Sequence, residues 1–456
     1  MNTTTANTTA NTATGAAASV AEDTVLEAEP VDVVIAGGGI AGLAAAHRLA
    51  RIGRSVRVLE ARSDLGESGF GIQLAPNATR RLDRAELLEE LRARGAVQPE
   101  RLVLRDAVDG RALTYLDGAD IARRYGAPYL CTRRATLHDV LRGACEDMGV
   151  EILTGVTVTD VDRPDNTRAT QATRATQGGV AAVAVSAHRR DPAQVVIAAD
   201  GTWSRLRWPI GHHPARDTGY LAYRSLTPTH VHTRAAGAAG AGGAGGAGGA
   251  DTRDMVLFIG PGRHLVQYPL DHHATINRVA VYQAGPVPGS GETGRNSGGG
   301  AEDDPPPEML DRVFARDHPD VRDALTHIDR SRSWRIYDRD PLTHWTHPDR
   351  DRAPGRFVLI GDAAHPILQF FAQGACQCIE DAENLVTHAA ANLDDWDTAL
   401  DAYGAERIPR TTDIHRKVRM WGEILHADGL LRDVRNTLLR DRWAGDYRHL
   451  DWLWRH

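Results

Sequence analysis

Residues 361–382 read GDAAHPILQFFAQGACQCIEDA and set Asp362, His365, Cys376, Cys378, Glu380 and Asp381 within 22 residues. Two chemistries fit such a set. Thiolates and an imidazole can hold a metal, or a carboxylate can hold the hydroxyls of an organic cofactor. A structural zinc site needs a second ligand pair at matching spacing. Here the two cysteines fall in the opening of a helical pattern instead, so no metal site is expected. That pattern starts near Gly374 and repeats its apolar positions at Ala375, Cys378, Ile379, Ala382, Leu385 and Val386, a helical period. A helix start presents free N–H groups that stabilise negative charge. Asp362 closes the apolar strand RFVLIGD just upstream.

Three other stretches carry residues of the right type. GGGIAG places Gly37, Gly39 and Gly42 in the G-x-G-x-x-G positions, after the strand VDVVIAG and before a helical pattern. Glycine there permits a tight turn and lets a pyrophosphate approach a helix N-terminus. Glu60 ends the next strand, 18 residues after Gly42, where a carboxylate accepts hydrogen bonds from ribose hydroxyls. The motif does not distinguish FAD from NAD. AADGTWSRLR (198–207) brings Asp200 and Gly201 to the end of another apolar strand. RHLVQYPL (263–270) reads as a strand whose alternate residues share a face, which sets His264 and Tyr268 about 13 Å apart on one side. Both could reach a small aromatic ring from opposite sides; the alternative is an ordinary half-buried strand.

The elements that must hold these residues alternate. Strands at 31–37 and 55–61 flank a helix at 40–53, and further helices follow near 84–95 and 135–148. Residues 193–201 form another strand. Then 254–260, 263–270 and 275–284 run as consecutive strands with short turns, the mark of an antiparallel sheet. The fold class expected is α/β: a Rossmann-like dinucleotide-binding domain (31–207 and 350–410) interrupted by a β-rich domain (208–349), with a helical C-terminus (411–456). Residues 1–30 read as a disordered tail. The low-complexity stretches from 164, 235 and 287 read as surface insertions. Four tryptophans, Trp421, Trp443, Trp452 and Trp454, are assigned to packing or to the face of a homodimer.

Composition closes off other classes. A net charge of −7 and a pI near 6.3 argue against a nucleic-acid footprint or a polybasic membrane patch. Lys417 is the single lysine, and its surroundings fit neither a Schiff base nor a phosphate loop. Four cysteines make no disulfide framework in a chain of this length. No apolar run reaches the roughly 18 residues of a membrane helix, and no secretory signal is evident. A cytoplasmic location is expected.

GGGIAG, Asp200-Gly201 and Gly361-Asp362, in that order, resemble the three motifs of the flavoprotein aromatic hydroxylases. GFGIQLAPNA (69–78) and TRRATLHDVL (132–141) are similar to that family as well. The resemblance covers nearly all of residues 31–456 and implies bound FAD, with NADH or NADPH and O2 as co-substrates. It implies flavin contacts from Gly69, Phe70, Gly71, Arg134, Asp362, Gly374 and Ala375, and pyrophosphate or nicotinamide contacts from Asp200, Gly201 and Arg207. IGPGRHLVQYPL, IYDRDPL, RMWGEILHADG and DWLW resemble a subgroup acting on 3-hydroxybenzoate. By that match His264, Tyr268 and Gln369 line the pocket for a small aromatic acid, with His264 as base. Arg224 is a further candidate for the flavin or for a carboxylate. Two positions depart from the subgroup, Ser68 and Ser225, and bear on substrate choice. Salicylate-type or natural-product hydroxylation is the alternative. A flavin oxidase or dehydrogenase and a non-enzymatic FAD-binding sensor are readings from other classes.

Overall fold

The computed structural model describes residues 25–66, 69–164, 179–229, 252–286, 305–349, 351, 355–392 and 395–456. Ser68, most of the tail and most of the three low-complexity stretches lie outside them.

In chain order the strands are β1 (Leu26–Glu27), β2 (Val31–Ala36), β3 (Val56–Glu60), β4 (Gly71–Leu74), β5 (Arg101–Asp106), β6 (Ala112–Asp117), β7 (Leu130–Arg133), β8 (Glu151–Thr154), β9 (Asp160–Asp162), β10 (Ala182–Val185), β11 (Arg189–Ala198), β12 (Arg216–Pro228), β13 (Met255–Gly260), β14 (Arg263–Leu270), β15 (Thr275–Gln283), β16 (Trp334–Asp338) and β17 (Phe357–Leu359). The helices used below are α1 (Ile40–Arg51), α2 (Pro76–Arg84), α3 (Arg134–Asp147), α4 (Gly374–Ala391), α5 (Trp396–Leu425), α6 (Gly429–Asp441) and α7 (Arg448–Trp454).

One sheet runs β8-β3-β2-β11-β10-β9, with β1 and β17 also paired to β11. Its centre is parallel: β2 pairs β3 and β11, and β11 pairs β17. The strands VDVVIA and VRVLE are buried along most of their length, as expected where helices cover a parallel sheet. α1, α3 and α4 pack together beside it.

The second sheet runs β16-β12-β15-β14-β13-β5-β6. Its neighbours from β12 to β15 and from β13 to β15 are antiparallel, as the short turns require. Alternation divides the faces. Leu265 and Phe258 join a cluster with Leu310, Phe314 and Val321, from the helical segment that follows β15. His264 and Val266 look the other way, into a cavity.

β5 and β6 come from inside the 31–207 segment, yet they hydrogen-bond onto the second sheet through a parallel β5–β13 pairing. A parallel partner so distant in the chain leaves no local signature, whereas the hairpins of β13 to β15 do. No helix among the described residues is long and apolar enough to cross a membrane.

Candidate active site

β2, β11 and β17 are parallel neighbours, with Ala36 and Leu359 both in register with Ala198. Their C-terminal ends therefore deliver three loops to one edge: Gly37–Gly39, Asp200–Thr202 and Gly361–Asp362. Open α/β sheets bind ligands at this edge. The loops are tied to each other. The Thr202 hydroxyl donates to Asp362 Oδ2 at 3.1 Å, and Arg207 Nη1 donates to the Ala363 carbonyl at 3.3 Å. Asp200 Oδ2 accepts from the backbone N–H groups of Arg205 and Leu206.

The glycines differ in what they do. Gly37 has φ +114°, and a Cβ there would lie 2.3 Å from the Ala199 carbonyl. One at Gly42 would lie 2.0 Å from the Gly37 carbonyl. These two keep turn, strand and helix together. Gly39 caps α1 and faces open space, with no atom within 4 Å of where a Cβ would stand. That space lies at the N-terminus of a 12-residue helix, where a phosphate is stabilised. Glu60 Oε2 accepts from the Gly38 N–H at 2.7 Å, and Oε1 accepts from the Arg62 N–H. These bonds fix the carboxylate beside the same turn. Arg207 is fully buried, and its Nε and Nη2 have no partner among the described residues. Burial lowers its pKa to about 10. A desolvated cation with unmet donors beside the loops fits an anionic dinucleotide. FAD therefore fits the residues present: Gly39 for the phosphates, Glu60 and Asp362 for hydroxyls.

A buried ionic cluster holds the third loop. Asp381 Oδ2 accepts from the Gly361 N–H at 2.9 Å and meets His365 Nε2 at 2.6 Å. Arg407 reaches Asp381 and Glu380, both at 2.7 Å. Arg410 also reaches Glu380 at 2.7 Å. Burial alone would raise both carboxyl pKa values, but the facing cations hold them below the usual range. All four cysteines are buried, and burial pushes the Cys376 thiol up to about 12. No group of three or more His, Cys, Asp or Glu residues suited to a metal occurs among the described residues. The acidic pair of the opening stretch thus positions a loop.

Gly69, Phe70 and Gly71 lead into β4, which pairs β7. The Gly71 N–H donates to Asn277 Oδ1 at 2.8 Å, and the Arg134 N–H to the Phe70 carbonyl at 2.9 Å. Phe70 meets Trp334 edge-on at 5.2 Å. Tyr268 stands against Gly71, where an added Cβ would meet its ring at 2.7 Å. It is not among the cavity walls, although strand alternation puts it on the face of His264. Gly374 and Ala375 open α4, and the Gly374 side is open space.

The cavity of about 320 Å³ lies between the second sheet and the C-terminal helices. β5, β6, β13 and β14 form one wall; Phe370, Trp421, Leu425 and Trp454 form much of the other. Trp421 and Trp454, assigned above to packing or a dimer face, close this space. Trp443 is 75% exposed. His264 and Gln369 project into the cavity. Gln369 Oε1 accepts from Arg224 Nη2 at 2.7 Å. Gln369 Nε2 and Arg224 Nε have no partner among the described residues. Ser225, next to Arg224, is buried.

His264 is 4% exposed, and its Nδ1 lies 2.7 Å from Nε2 of His426. Burial, then the neighbouring ring, holds its pKa well below the ordinary 6.5. Burial and the Arg435 cation lower His426 to about 4. Sequence reasoning did not single out His426, though it lies within the RMWGEILHADG stretch. Its one signal is that stretch; the 162-residue separation hides the contact.

A family model described as an FAD binding domain matches residues 30–228 and 303–418. The chain is 32% identical over 430 residues to 3-hydroxybenzoate 6-hydroxylase of Polaromonas naphthalenivorans (strain CJ2), spanning 92% of this chain and 95% of that protein. It is also 32% identical over 434 residues to 3-amino-4-hydroxybenzoate 2-monooxygenase of Streptomyces cremeus, spanning 93% and 95%. A solved salicylate hydroxylase substrate complex shares the fold with a TM-score of 0.71 at 24% identity, over 94% of this chain and 96% of that one. Klebsiella pneumoniae HpxO, complexed with FAD and uric acid, does so with a TM-score of 0.70 at 22% identity, over 90% and 93%. With the dinucleotide cradle, the buried histidine and the half-buried glutamine of the cavity, these matches show that the chain belongs to the family of FAD-dependent aromatic hydroxylases.

Proposed function

We propose that the chain hydroxylates a phenolic acid, 3-hydroxybenzoate, to 2,5-dihydroxybenzoate, with NADH or NADPH as reductant and O2 as the oxygen source. The observation that carries this reading is the buried His264 beside Gln369 in an apolar cavity. Bound FAD supplies the electron transfer and the activation of O2.

A phenol is a modest carbon nucleophile and its phenolate a much better one. The ordinary phenol pKa is about 10 and that of histidine about 6.5. Burial lowers His264 further, so its base form is present throughout the neutral range. The same gap means that His264 does not strip the phenol before reaction. It accepts the proton at Nε2 as the ring attacks, when the phenol becomes more acid. The carbon para to the phenolic oxygen then gains most electron density, which in 3-hydroxybenzoate is C6.

Gln369, held by Arg224, offers its amide N–H groups to orient the substrate. Arg224 brings a half-buried positive charge near a substrate carboxylate or the flavin. Tyr268 acts on the Gly69–Gly71 loop, which it touches. Apolar walls from Leu102, Leu257, Val266 and Phe370 exclude water from the reacting oxygen.

A second reading is a differently substituted hydroxybenzoate, such as an amino-hydroxybenzoate. Equal identity to the Streptomyces cremeus relative favours it, as does a cavity that extends past His264 to Arg442, Asp446 and His449. The test is product analysis after the purified, FAD-loaded protein turns over 3-hydroxybenzoate with NADH in air. 2,5-Dihydroxybenzoate is the expected product. NADH consumption that yields only hydrogen peroxide would reject this substrate.

A further inference from the structure

His426 sits at the C-terminus of α5, and four groups surround it. Tyr220 stacks on its ring at 4.6 Å, Phe370 meets it edge-on at 5.4 Å, and His264 lies nearly parallel at 5.0 Å. The Arg435 guanidinium is anchored one residue away, on the Leu425 carbonyl at 2.8 Å. Burial first, and then that cation, oppose a proton on His426 and lower its pKa to about 4.

A 2.7 Å contact between two ring nitrogens holds one proton. Two tautomeric arrangements are open to a neutral pair. In one, His264 Nδ1–H donates to His426 Nε2, His264 Nε2 is bare, and the His426 proton sits on Nδ1, which has no partner among the described residues. In the other, His426 Nε2–H donates, and His264 presents Nε2–H to the cavity. A phenol brings its own O–H and needs a bare nitrogen, so only the first arrangement receives it. When Nε2 then gains the phenolic proton, the Nδ1–H of the resulting imidazolium still has the His426 lone pair as acceptor. The charge forms with a partner inside a low-dielectric site.

We propose that His426 is a positioning residue: it fixes the tautomer of His264 and leaves His264 Nε2 bare toward the cavity. This rests on His264 being the base toward the phenol. A wrong tautomer behind a catalytic histidine costs up to about 10⁴ in rate in the serine-protease triad. A lost orienting contact costs about 10².

The experiment compares His426→Phe, His426→Gln and His264→Ala as FAD-loaded proteins with 3-hydroxybenzoate. His426→Phe keeps an aromatic ring but no acceptor, and its kcat for hydroxylated product is expected to fall about 10- to 100-fold, with KM changed less than about threefold. His426→Gln keeps an acceptor and is expected to stay within about threefold of the wild type. Side-chain ¹⁵N spectra, assigned by the signal missing in His264→Ala, should show His264 protonated at Nδ1 in the wild type and a tautomer mixture in His426→Phe. Wild-type kcat in His426→Phe, a His426→Gln loss as large as that of His264→Ala, or a wild-type His264 protonated at Nε2 would each overturn the proposal. If His426→Phe does not fold, the glutamine variant and the wild-type spectrum decide. A fully active His264→Ala would instead reject the base assignment itself.

Discussion

His264 is buried against a second ring and keeps one nitrogen for the cavity. Removing that nitrogen leaves the substrate proton without an acceptor. His264→Ala should lower kcat about 10²- to 10⁴-fold while FAD remains bound, checked by steady-state kinetics beside the flavin absorbance. Gln369 acts differently, since it joins Arg224 to the cavity. Gln369→Ala strands the Arg224 Nη2 donor and frees the substrate to rotate. The expected outcome is a KM about tenfold higher and a smaller share of NADH ending as hydroxylated product, read by comparing NADH and product on the same sample. The resemblance of IGPGRHLVQYPL and of the stretch around Gln369 to one subgroup made His264 and Gln369 legible as candidates. Strand periodicity could not show that the cavity stops short of Tyr268, because that depends on how the Gly69–Gly71 loop packs across it.

Among the elements, the cradle rests on three parallel strand ends and one helix start. Glycine substitutions separate structure from binding here. Gly42→Ala drives a methyl against the Gly37 carbonyl and should destabilise the apoprotein by more than about 1 kcal/mol. Gly39→Ala meets nothing in the protein, so the apoprotein should melt near the wild-type temperature. Its FAD affinity should nevertheless fall at least about tenfold, because the methyl occupies the phosphate's approach. Calorimetry of apoprotein and FAD titration together check both. A Gly39→Ala protein that binds FAD normally would place the phosphates elsewhere. The cradle was legible in the chain because each motif is local: strand, glycine turn, helix. The clamp on Gly361 was not. Asp381 and Arg407 carry the signature of any charged helix and His365 sits in a loop, and only the packing of α4 on α5 shows that they converge.

Over the whole molecule, β5 and β6 cross between the segments that sequence assigned to separate domains. The C-terminal helices then close the cavity. The same burial that readies His264 makes acid a threat. His47 and His426 are each lowered to about 4, and His264 lies well below 6.5, with burial the largest cause for all three. The unfolded chain binds their protons near pH 6.5, and the folded chain does not. Stability from these groups is therefore complete above pH 6.5 and is lost as pH falls toward 4. Melting temperature should decline over that window, and His47→Gln should make the decline shallower. Unchanged melting from pH 7 to pH 4.5 would contradict the burial argument.

The proposed reaction requires this cavity to place one atom of O2 on an aromatic acid. Turnover of 3-hydroxybenzoate by the FAD-loaded protein with NADH under ¹⁸O2, followed by mass spectrometry of the product, measures that transfer itself. The expected product is 2,5-dihydroxybenzoate carrying a single ¹⁸O in its new hydroxyl. NADH oxidation with all of the ¹⁸O recovered as hydrogen peroxide and the acid unchanged would contradict it.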